Sequence, residues 1–390
     1  MRRSTDRILV SHAGTLPRPD DLTALVDAGP PAAEAFEQRL PAAIKQIVQQ
    51  QADLGIDVVN DGEFSKQGGR GGFSHYIRDR ITGVQERAPA AEQDPSLRDV
   101  TGRDRRAFPG AFKHGTGWFQ TQQATGGNAP YHSVCTGPLE YVGQHHLERD
   151  IRNLKAATAG LDVEPYLPAI TPGTMEHWLW NEYYPDDEAL LWAVADVLKV
   201  EYRAITDAGI VLQLDDPDLP DGWQMDPRWS VADYRAYAEV RVEALNRALR
   251  GIPEDMVRLH TCWGSGHGPH ANDIPLRDIV DVVLKVNAGC YGVEAANPRH
   301  EYEWRVWRET KLPEGKILMP GVVAHVTDNV EHPQTVADRL VRFAKGVGRE
   351  NVIAGTDCGL GGRVGHPEIA WAKLRSLVEG ARLATRELWP

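Results

Sequence analysis

Helix-like stretches alternate with short apolar runs along most of the chain. In one unit, the amphipathic stretch 42–54 leads through Gly55 into IDVVNDGE (56–63), a β-branched run that ends in polar residues. A small residue at this point is the usual C-terminal cap of a helix, and a short apolar run is typical of a parallel strand that is covered on both faces. The pattern therefore predicts repeated helix–strand units. Their helical parts are residues 42–54, 188–208, 229–250, 275–288 and 333–350.

Nine strands are predicted, one after each of these five helical stretches and four more at 8–14, 132–141, 164–171 and 316–323. Repeated units of this kind favour a (β/α)₈ TIM barrel, in the α/β class, over an open doubly wound sheet. No G-x-G-x-x-G sequence follows the first strand, which weakens the dinucleotide-binding alternative. Because such a barrel has eight strands, one of the nine must be accessory, and the pattern leaves open which one. We expect a single barrel domain over residues 1–390.

The segment 66–131 does not follow the alternation. It is rich in Gly, Arg, Asp and Gln, and a loop of this length in a compact domain is usually functional. We predict that it is an insertion, partly hairpin, that lies over one mouth of the barrel. A lid, a substrate-binding arm and an oligomer contact all fit the segment, so a homo-oligomer is one of the open possibilities.

Composition excludes several classes of protein. Charged residues make up 25% of the chain and hydrophobic residues 42%, as in ordinary soluble globular proteins. The net charge of -12 argues against general nucleic-acid binding. The chain has no apolar run long enough for a membrane span, and its N-terminus lacks the apolar region of a signal peptide. We therefore expect a cytoplasmic protein, whose four cysteines stay reduced.

Polar residues cluster where the predicted strands end. In a barrel the C-terminal ends of the strands meet at one mouth, where active sites lie. A strand-end carboxylate can instead cap the following helix, so a single acid says little, whereas the whole set predicts an active site. His12, which ends the first strand, is either an acid/base group or a structural histidine. The other strand-end residues are Gly14, Thr15, Asp61, Glu63, Asp215, Asp216, His260, Cys262, Glu294, Asp357 and Cys358.

His260 and Cys262 are two residues apart on a predicted strand, so both side chains face the same side. Both residue types are zinc ligands. Glu294 and Cys358 end later strands and complete a set of four ligands. Because these ligands come from three strands and include no C-x₂-C pair, they favour a catalytic zinc site over a structural one. Zinc deprotonates a thiol and holds its sulfur, so the set predicts a thiol substrate.

Six motifs make the chain resemble the cobalamin-independent methionine synthase superfamily over nearly its whole length. The resemblance is closest to single-barrel members related to the C-terminal catalytic half, a group that also includes epoxyalkane:coenzyme M transferases. It implies a zinc thiol alkyltransferase on a (β/α)₈ barrel, with zinc on His260, Cys262, Glu294 and Cys358. The motifs are SHAGTLPRP (11–19), DVVNDGE (57–63), LQLDDPD (212–218), HTCWG (260–264), VEAANP (293–298) and AGTDCGL (354–360).

The resemblance also implies a substrate-binding set. Gly14 and Thr15 stand where the family has a Gly-Ser pair that meets the amino-acid end of homocysteine. Glu63 and Asp215 match the family acids that bind the amino group, and two carboxylates suit an ammonium. This favours an amino-acid thiol over coenzyme M, whose sulfonate the carboxylates would repel.

Two positions depart from the family pattern. His325 lies near the family's proton-donating histidine but one residue out of register, which on a strand end reverses the direction that the side chain faces. The segment 170–184 matches the folate-contacting pattern poorly. Within it Trp178 or Trp180 either stacks on a flat donor or packs in the core.

Three hypotheses follow for the function. The first is zinc-dependent methyl transfer from a folate-type donor to homocysteine or a related thiol. The second keeps the thiol and the zinc but replaces the donor with an epoxide or another activated carbon. The third is a non-catalytic barrel in which zinc is structural. In the first two, the partners are a small-molecule thiol and an alkyl donor.

Overall fold

The computed structural model describes residues 1–66, 73–87, 98–114, 132–264, 266 and 268–390. Its strands are β1 (Leu9–Val10), β2 (Val58–Val59), β3 (Val84–Arg87), β4 (His132–Cys135), β5 (Glu164–Ile170), β6 (Leu179–Asn181), β7 (Val211–Asp215), β8 (Val257–Thr261), β9 (Cys290–Val293), β10 (Ile317–Pro320) and β11 (Ile353–Ala354). Its α-helices are α1 (Asp20–Asp27), α2 (Ala33–Leu54), α3 (Gly102–Ala107), α4 (Pro109–His114), α5 (Gln144–Thr158), α6 (Pro172–Trp178), α7 (Asp187–Asp207), α8 (Asp218–Asp221), α9 (Val231–Ala248), α10 (Val280–Val283), α11 (Val306–Glu309), α12 (Pro333–Val347) and α13 (Pro367–Leu388).

The long helices begin and end at residues suited to those positions. Helix α2 ends at Gly55, whose φ of 97° lies in the left-handed region that glycine adopts without strain. Helix α9 begins with a capping box, in which Ser230 and Asp233 each bond the backbone of the other. Among the helices of the described residues, none combines the length and apolarity that a membrane span requires.

Parallel strands form the centre of this mixed α/β fold. Six of them lie in the order β10-β9-β8-β7-β5-β2, and β1 pairs with β11. Parallel bridges between Leu318 and Val352 and between Gly321 and Gly355 join β10 to β11. At the other end, the N–H of Asp57, just before β2, donates to the carbonyl of Val10 in β1 at 2.9 Å. Both ends of the six-stranded sheet thus contact the same pair of strands, and the sheet is curled.

The structure identifies the accessory strand among the nine predicted ones. Segment 132–141 contributes β4, which pairs antiparallel with β3 and parallel with β6 in a separate three-stranded sheet. The other eight predicted strands are β1, β2, β5, β7, β8, β9, β10 and β11, and all of them take part in the parallel pairings.

Alternate residues of the parallel strands point to opposite faces. Leu259 of β8 belongs to the large core that packs against the helices, so its neighbours Arg258 and His260 face the other side. On that inner side, Met319 packs in a small apolar cluster that includes Cys290. The inner face therefore carries both apolar residues and the polar residues of the candidate site.

The described parts of the 66–131 segment contact loops that follow β7 and β8. Arg103 donates hydrogen bonds to the carbonyls of Trp223, Asp226 and Trp229. Asp104 accepts the backbone N–H groups of residues 271 and 272. Residues 67–72, 88–97 and 115–131 lie outside the described residues, and the prediction of an insertion over a barrel mouth stays a prediction.

Candidate metal and thiol site

Three of the four predicted ligands lie together. One ligand atom each from His260, Cys262 and Cys358 falls within 4.8 Å of the other two. His260 belongs to β8, Cys262 is the first residue after that strand, and Cys358 lies just beyond β11. All three residues are buried. The fold thus brings an imidazole and two sulfurs to one point near the ends of two parallel strands.

The donor atoms of this cluster fit a zinc ion. Both ring nitrogens of His260 are buried and have no hydrogen-bond partner outside this cluster among the described residues, and an unpaired buried polar group is costly. Burial lowers the pKa of His260, but the nearby Cys358 and Asp215 outweigh it and raise that pKa. The Cys262 thiol hydrogen-bonds to Cys358, which holds the pKa of Cys358 well below its usual value and raises that of Cys262. Imidazole and thiolate are preferred zinc donors.

Glu294, the fourth predicted ligand, lies in a neighbouring cluster with His325 and Asp357, again with ligand atoms within 4.8 Å. Its Oε2 accepts the N–H of Trp263 at 3.0 Å, and its Oε1 accepts Nδ2 of Asn297 at 2.9 Å. Glu294 is also close enough to Cys262 to raise the pKa of that thiol. The two clusters therefore adjoin.

Gly14, Thr15 and Glu63 form one contact between the ends of β1 and β2. Thr15 Oγ1 donates to Glu63 Oε2 at 2.7 Å. Glu63 has a φ of 60°, which is unusual for a residue with a side chain. Gly14 has a φ of 146°, and a Cβ at Gly14 would lie 2.1 Å from Glu63 Oε1. The carboxylate of Glu63 therefore rests directly against the backbone of Gly14.

Asp215 is held by two residues that the sequence motifs did not single out. Gln213 Nε2 donates to Asp215 Oδ1 at 2.7 Å, and Gln213 Oε1 accepts from Arg258 Nε at 2.7 Å. The Arg258 guanidinium also lies 3.5 Å from the ring centre of Tyr166. The available signal was spacing: Gln213 and Arg258 each lie two residues before a predicted site residue on the same strand face.

Both predicted ammonium-binding carboxyls have raised pKa values. Burial raises the pKa of Glu63 to about 7, against the opposing effects of Thr15 and Arg363. Burial raises the pKa of Asp215 to about 8; His260 opposes the shift and Glu63 adds to it. Buried carboxylates that face each other need a cation nearby to stay ionised. Arg363, a further residue that the motifs missed, supplies positive charge to this region, and its pKa is raised by Cys358 and Cys262 in spite of burial.

His12 is fixed by hydrogen bonds inside the fold. Its Nε2–H donates to Gln51 Oε1 at 2.8 Å, while its Nδ1 accepts the N–H of Gly14 at 3.3 Å. Tyr166 donates its hydroxyl to the carbonyl of His12 at 2.9 Å. Burial lowers the pKa of His12 to about 4, so the ring is neutral at physiological pH. A catalytic role for His12 stays a prediction, and the contacts show how it orients Gly14.

His325 and Trp178 occupy different surroundings. His325 is fully buried beside Glu294 and Asp357, and neither of its ring nitrogens has a hydrogen-bond partner within the described chain. Burial lowers its pKa, although Cys358 and Glu294 oppose the shift.

Trp178 is the last residue of α6 and is half-buried. Its contact with a donor stays a prediction.

A comparison with known families identifies the family of the chain. The family described as "Cobalamin-independent synthase, Catalytic domain" matches residues 145–383, which is more than half of the chain. The chain belongs to this family. The cluster residues His260, Cys262 and Cys358, together with Glu294, all lie inside the matched part of the cobalamin-independent synthase domain.

Relatives found by sequence agree with this membership, and a solved structure has a similar fold. The chain is 24% identical over 357 residues to the methionine synthase of Thermococcus kodakarensis, which covers 91% of this chain and 86% of that protein. It is 28% identical over 220 residues to the methionine synthase of Saccharolobus solfataricus, which covers 56% of this chain and 57% of that protein. The B12-independent methionine synthase from Shewanella sp. W3-18-1, solved with selenomethionine, has a TM-score of 0.71 at 21% identity and covers 98% of this chain and 99% of that one. At 21% identity, the similarity to this solved structure shows only that the two chains share a fold.

Proposed function

We propose that the protein is a zinc-dependent methyltransferase that moves a methyl group from a folate-type donor to homocysteine or a related thiol. The observation that carries the proposal is the cluster of His260, Cys262 and Cys358 beside the buried carboxyls of Glu63 and Asp215. Two relatives of the chain are named methionine synthases, and this name describes the proposed activity. The proposed cofactor is Zn²⁺, held by the three cluster residues with Glu294 as the fourth ligand.

A zinc ion in the cluster would supply Lewis acidity that lowers the pKa of a bound thiol and fixes its sulfur. The chain's own residues hold the rest of the thiol. Glu63 and Asp215 would receive its ammonium group, which offers the positive charge that two buried carboxylates require. Gly14 and Thr15 meet the same end, because Thr15 and Gly14 both contact the Glu63 carboxylate.

In the proposed transfer the methyl carbon passes from a donor nitrogen to the thiol sulfur. The carbon–nitrogen bond breaks, the sulfur–carbon bond forms, and the leaving nitrogen takes up a proton. His325, whose buried ring nitrogens are unpaired within the described part of the chain, is the group we propose for that proton. Trp178 is the side chain we propose to stack on the flat donor.

We further infer that the eight parallel strands close into a (β/α)₈ barrel. The bonds that join β1 to β2 and β10 to β11 support this closure. The contacts of Arg103 and Asp104 with the loops after β7 and β8 support an insertion that covers the mouth of the barrel, where active sites of this fold lie.

The test combines metal content with product formation. Purified protein supplied with zinc is incubated with homocysteine and methyltetrahydrofolate, and methionine is measured. We expect Cys358→Ser to lose zinc and turnover together, whereas the control Cys290→Ser, which alters a packing cysteine of the inner apolar cluster, keeps both. Full activity in a zinc-free Cys358→Ser protein would contradict the proposal.

Two other outcomes would favour the alternatives. Product from a thiol plus an epoxide, but none from homocysteine plus methyltetrahydrofolate, would assign the thiol-alkylating activity to a different electrophile. An X-ray absorption edge of bound zinc that homocysteine leaves unchanged would indicate a structural ion. The proposed function requires that the edge shifts when the thiol is added.

A further inference from the structure

Asp357 joins two loops that each carry a proposed metal ligand. Its Oδ1 accepts the N–H groups of Ala295 and Ala296, each at 2.8 Å. These two residues directly follow Glu294, while Asp357 directly precedes Cys358. A single carboxylate oxygen therefore connects the backbone beside one ligand to the backbone beside another.

The two loops do not follow neighbouring strands, because β10 lies between β9 and β11. Asp357 crosses this gap above Gly321, the residue that follows β10. A Cβ at Gly321 would lie 2.3 Å from Asp357 Oδ1, a distance that no side chain tolerates. The absence of a side chain at Gly321 is therefore what lets the carboxylate reach the amides of the next loop.

The position of Glu294 depends on the same loop. Its Oε1 accepts from Asn297, which lies one residue beyond the amides that Asp357 holds. Its Oε2 accepts the N–H of Trp263, the residue after Cys262. Without Asp357, the buried N–H groups of Ala295 and Ala296 would lose their acceptor, and a buried donor without a partner is costly.

We propose that Asp357 is a positioning residue that fixes Glu294 relative to Cys358, and that it acts through Oδ1. The proposal rests on the proposed function only in taking Glu294 and Cys358 as ligands of one metal ion. Asp357 Oδ2 has no hydrogen-bond partner among the described residues. An asparagine at position 357 keeps an oxygen that accepts from the two amides, so it can replace the aspartate as a positioning residue. It cannot replace an aspartate that binds the metal or carries a proton.

The experiment compares Asp357→Ala with Asp357→Asn. Zinc affinity is measured by competition with a chromophoric chelator, and the absorption spectrum of Co²⁺-substituted protein reports the ligand set. We expect Asp357→Ala to weaken zinc binding about 10- to 100-fold, the usual effect of losing a residue that orients a metal ligand. We expect Asp357→Asn to stay within about threefold of the wild type, because its amide oxygen still accepts both N–H groups.

Asp104→Ala is the matched control, because Asp104 also accepts two consecutive backbone N–H groups, those of residues 271 and 272, and neither residue is next to a proposed ligand. Its zinc affinity should equal that of the wild type. If Asp357→Ala fails to fold, Asp357→Leu fills the same space with a side chain that accepts no hydrogen bond, and we expect the same loss of affinity.

An Asp357→Asn protein that loses zinc as severely as Asp357→Ala would overturn the proposal, as would an Asp357→Ala protein with wild-type affinity. Failure of the proposed function gives a different result. A wild type that binds zinc tightly but makes no methionine would refute the methyl transfer and leave the affinity pattern of the Asp357 variants unchanged.

Discussion

At the scale of single residues, Gly14 shows how closely the candidate thiol site is built. Its φ of 146° is a conformation that side-chain-bearing residues rarely adopt, and the Glu63 carboxylate occupies the space where a Cβ would stand. Backbone strain of this kind costs about 1–3 kcal/mol. An added methyl group must therefore strain the backbone and displace Glu63 at once.

We predict that Gly14→Ala raises the KM for the thiol about tenfold or more while zinc affinity stays unchanged. The reason is that displaced Glu63 no longer faces the proposed ammonium site, whereas the nearest atoms that the added methyl group meets belong to Glu63 and Gln213 and not to the metal cluster. Steady-state kinetics and zinc titration measure the two effects. Gly110→Ala is the control, since a Cβ at that exposed glycine of α4 would contact nothing within 4 Å. An unchanged KM in Gly14→Ala would contradict the assigned position of Glu63.

His12 should make the folded state sensitive to acid. Because burial lowers its pKa to about 4 from an ordinary 6.5, the neutral ring contributes stability that is complete above about pH 6.5 and is lost as the pH falls toward 4. We predict that the wild type loses about 2–3 kcal/mol more than His12→Gln between pH 7.5 and 4.5. Urea denaturation at both pH values measures this difference.

The exposed His145 provides the control for that experiment. His145→Gln removes an exposed histidine and leaves His12 in place, so this variant should keep the loss of stability that His12 causes on acidification. If His12→Gln and the wild type lose equal stability on acidification, the ring of His12 does not resist protonation in the folded protein.

The sequence predicts part of this site for a simple geometric reason. Residues two apart on a strand share a face, so the spacing of His260 and Cys262 predicts that their side chains converge, and the structure places them in one cluster with Cys358. The hydrogen bonds from Arg258 to Gln213 and Ser11 could not be predicted, because they join β8 to β7 and to the segment after β1. Which atoms meet across strands depends on register, and register is not encoded in any one segment.

At the scale of elements, Arg103 joins helix α3 of the 66–131 segment to the loop that follows β7. Its guanidinium donates to three backbone carbonyls and lies 3.5 Å from the ring centre of Trp223. Hydrogen bonds from a charged group contribute about 1.5–3 kcal/mol, and a cation–π contact adds about 0.5–1 kcal/mol. One side chain thus holds the loop after β7 against helix α3.

We predict that Arg103→Ala speeds amide hydrogen exchange in residues 222–229 by about tenfold or more, because the free energy of local opening in this segment is lowered. Hydrogen exchange read by mass spectrometry measures this. Arg106→Ala, which removes an exposed arginine from the same helix, should leave those amides unchanged. Equal exchange in both variants would show that Arg103 does not fasten the segment.

The strand pattern predicts nine strands but cannot separate β4 from the eight that lie parallel. Segment 132–141 has the same short apolar run and polar ending as the strands of the central sheet. What distinguishes β4 is its partners, β3 and β6, and β3 lies in the segment that breaks the alternation. A local pattern reports that a strand exists, whereas its place in a sheet depends on contacts far along the chain.

At the scale of the whole molecule, Asp57 joins the first strand to the second. Its Oδ2 accepts the N–H of Val10 at 2.8 Å and Nη1 of Arg7 at 2.9 Å, and its Oδ1 accepts Nη2 of Arg7 at 2.6 Å. The backbone of Asp57 also bonds Val10 on one side and Glu164 on the other. This one residue therefore connects three consecutive parallel strands at the point where the curled sheet meets β1.

We predict that Asp57→Ala lowers the free energy of unfolding by about 2–4 kcal/mol, because the buried N–H of Val10 loses its partner and Arg7 loses its carboxylate. Asp57→Asn should cost less, since its amide oxygen still accepts from Val10. Asp162→Ala is the control: that carboxylate pairs with Arg2 but is 97% exposed, so its loss should stay within about 0.5 kcal/mol. Urea denaturation followed by tryptophan fluorescence ranks the three variants. If Asp57→Ala is as stable as Asp162→Ala, the contact between β1 and β2 does not hold the sheet together, and the closure that we infer for the barrel loses its support.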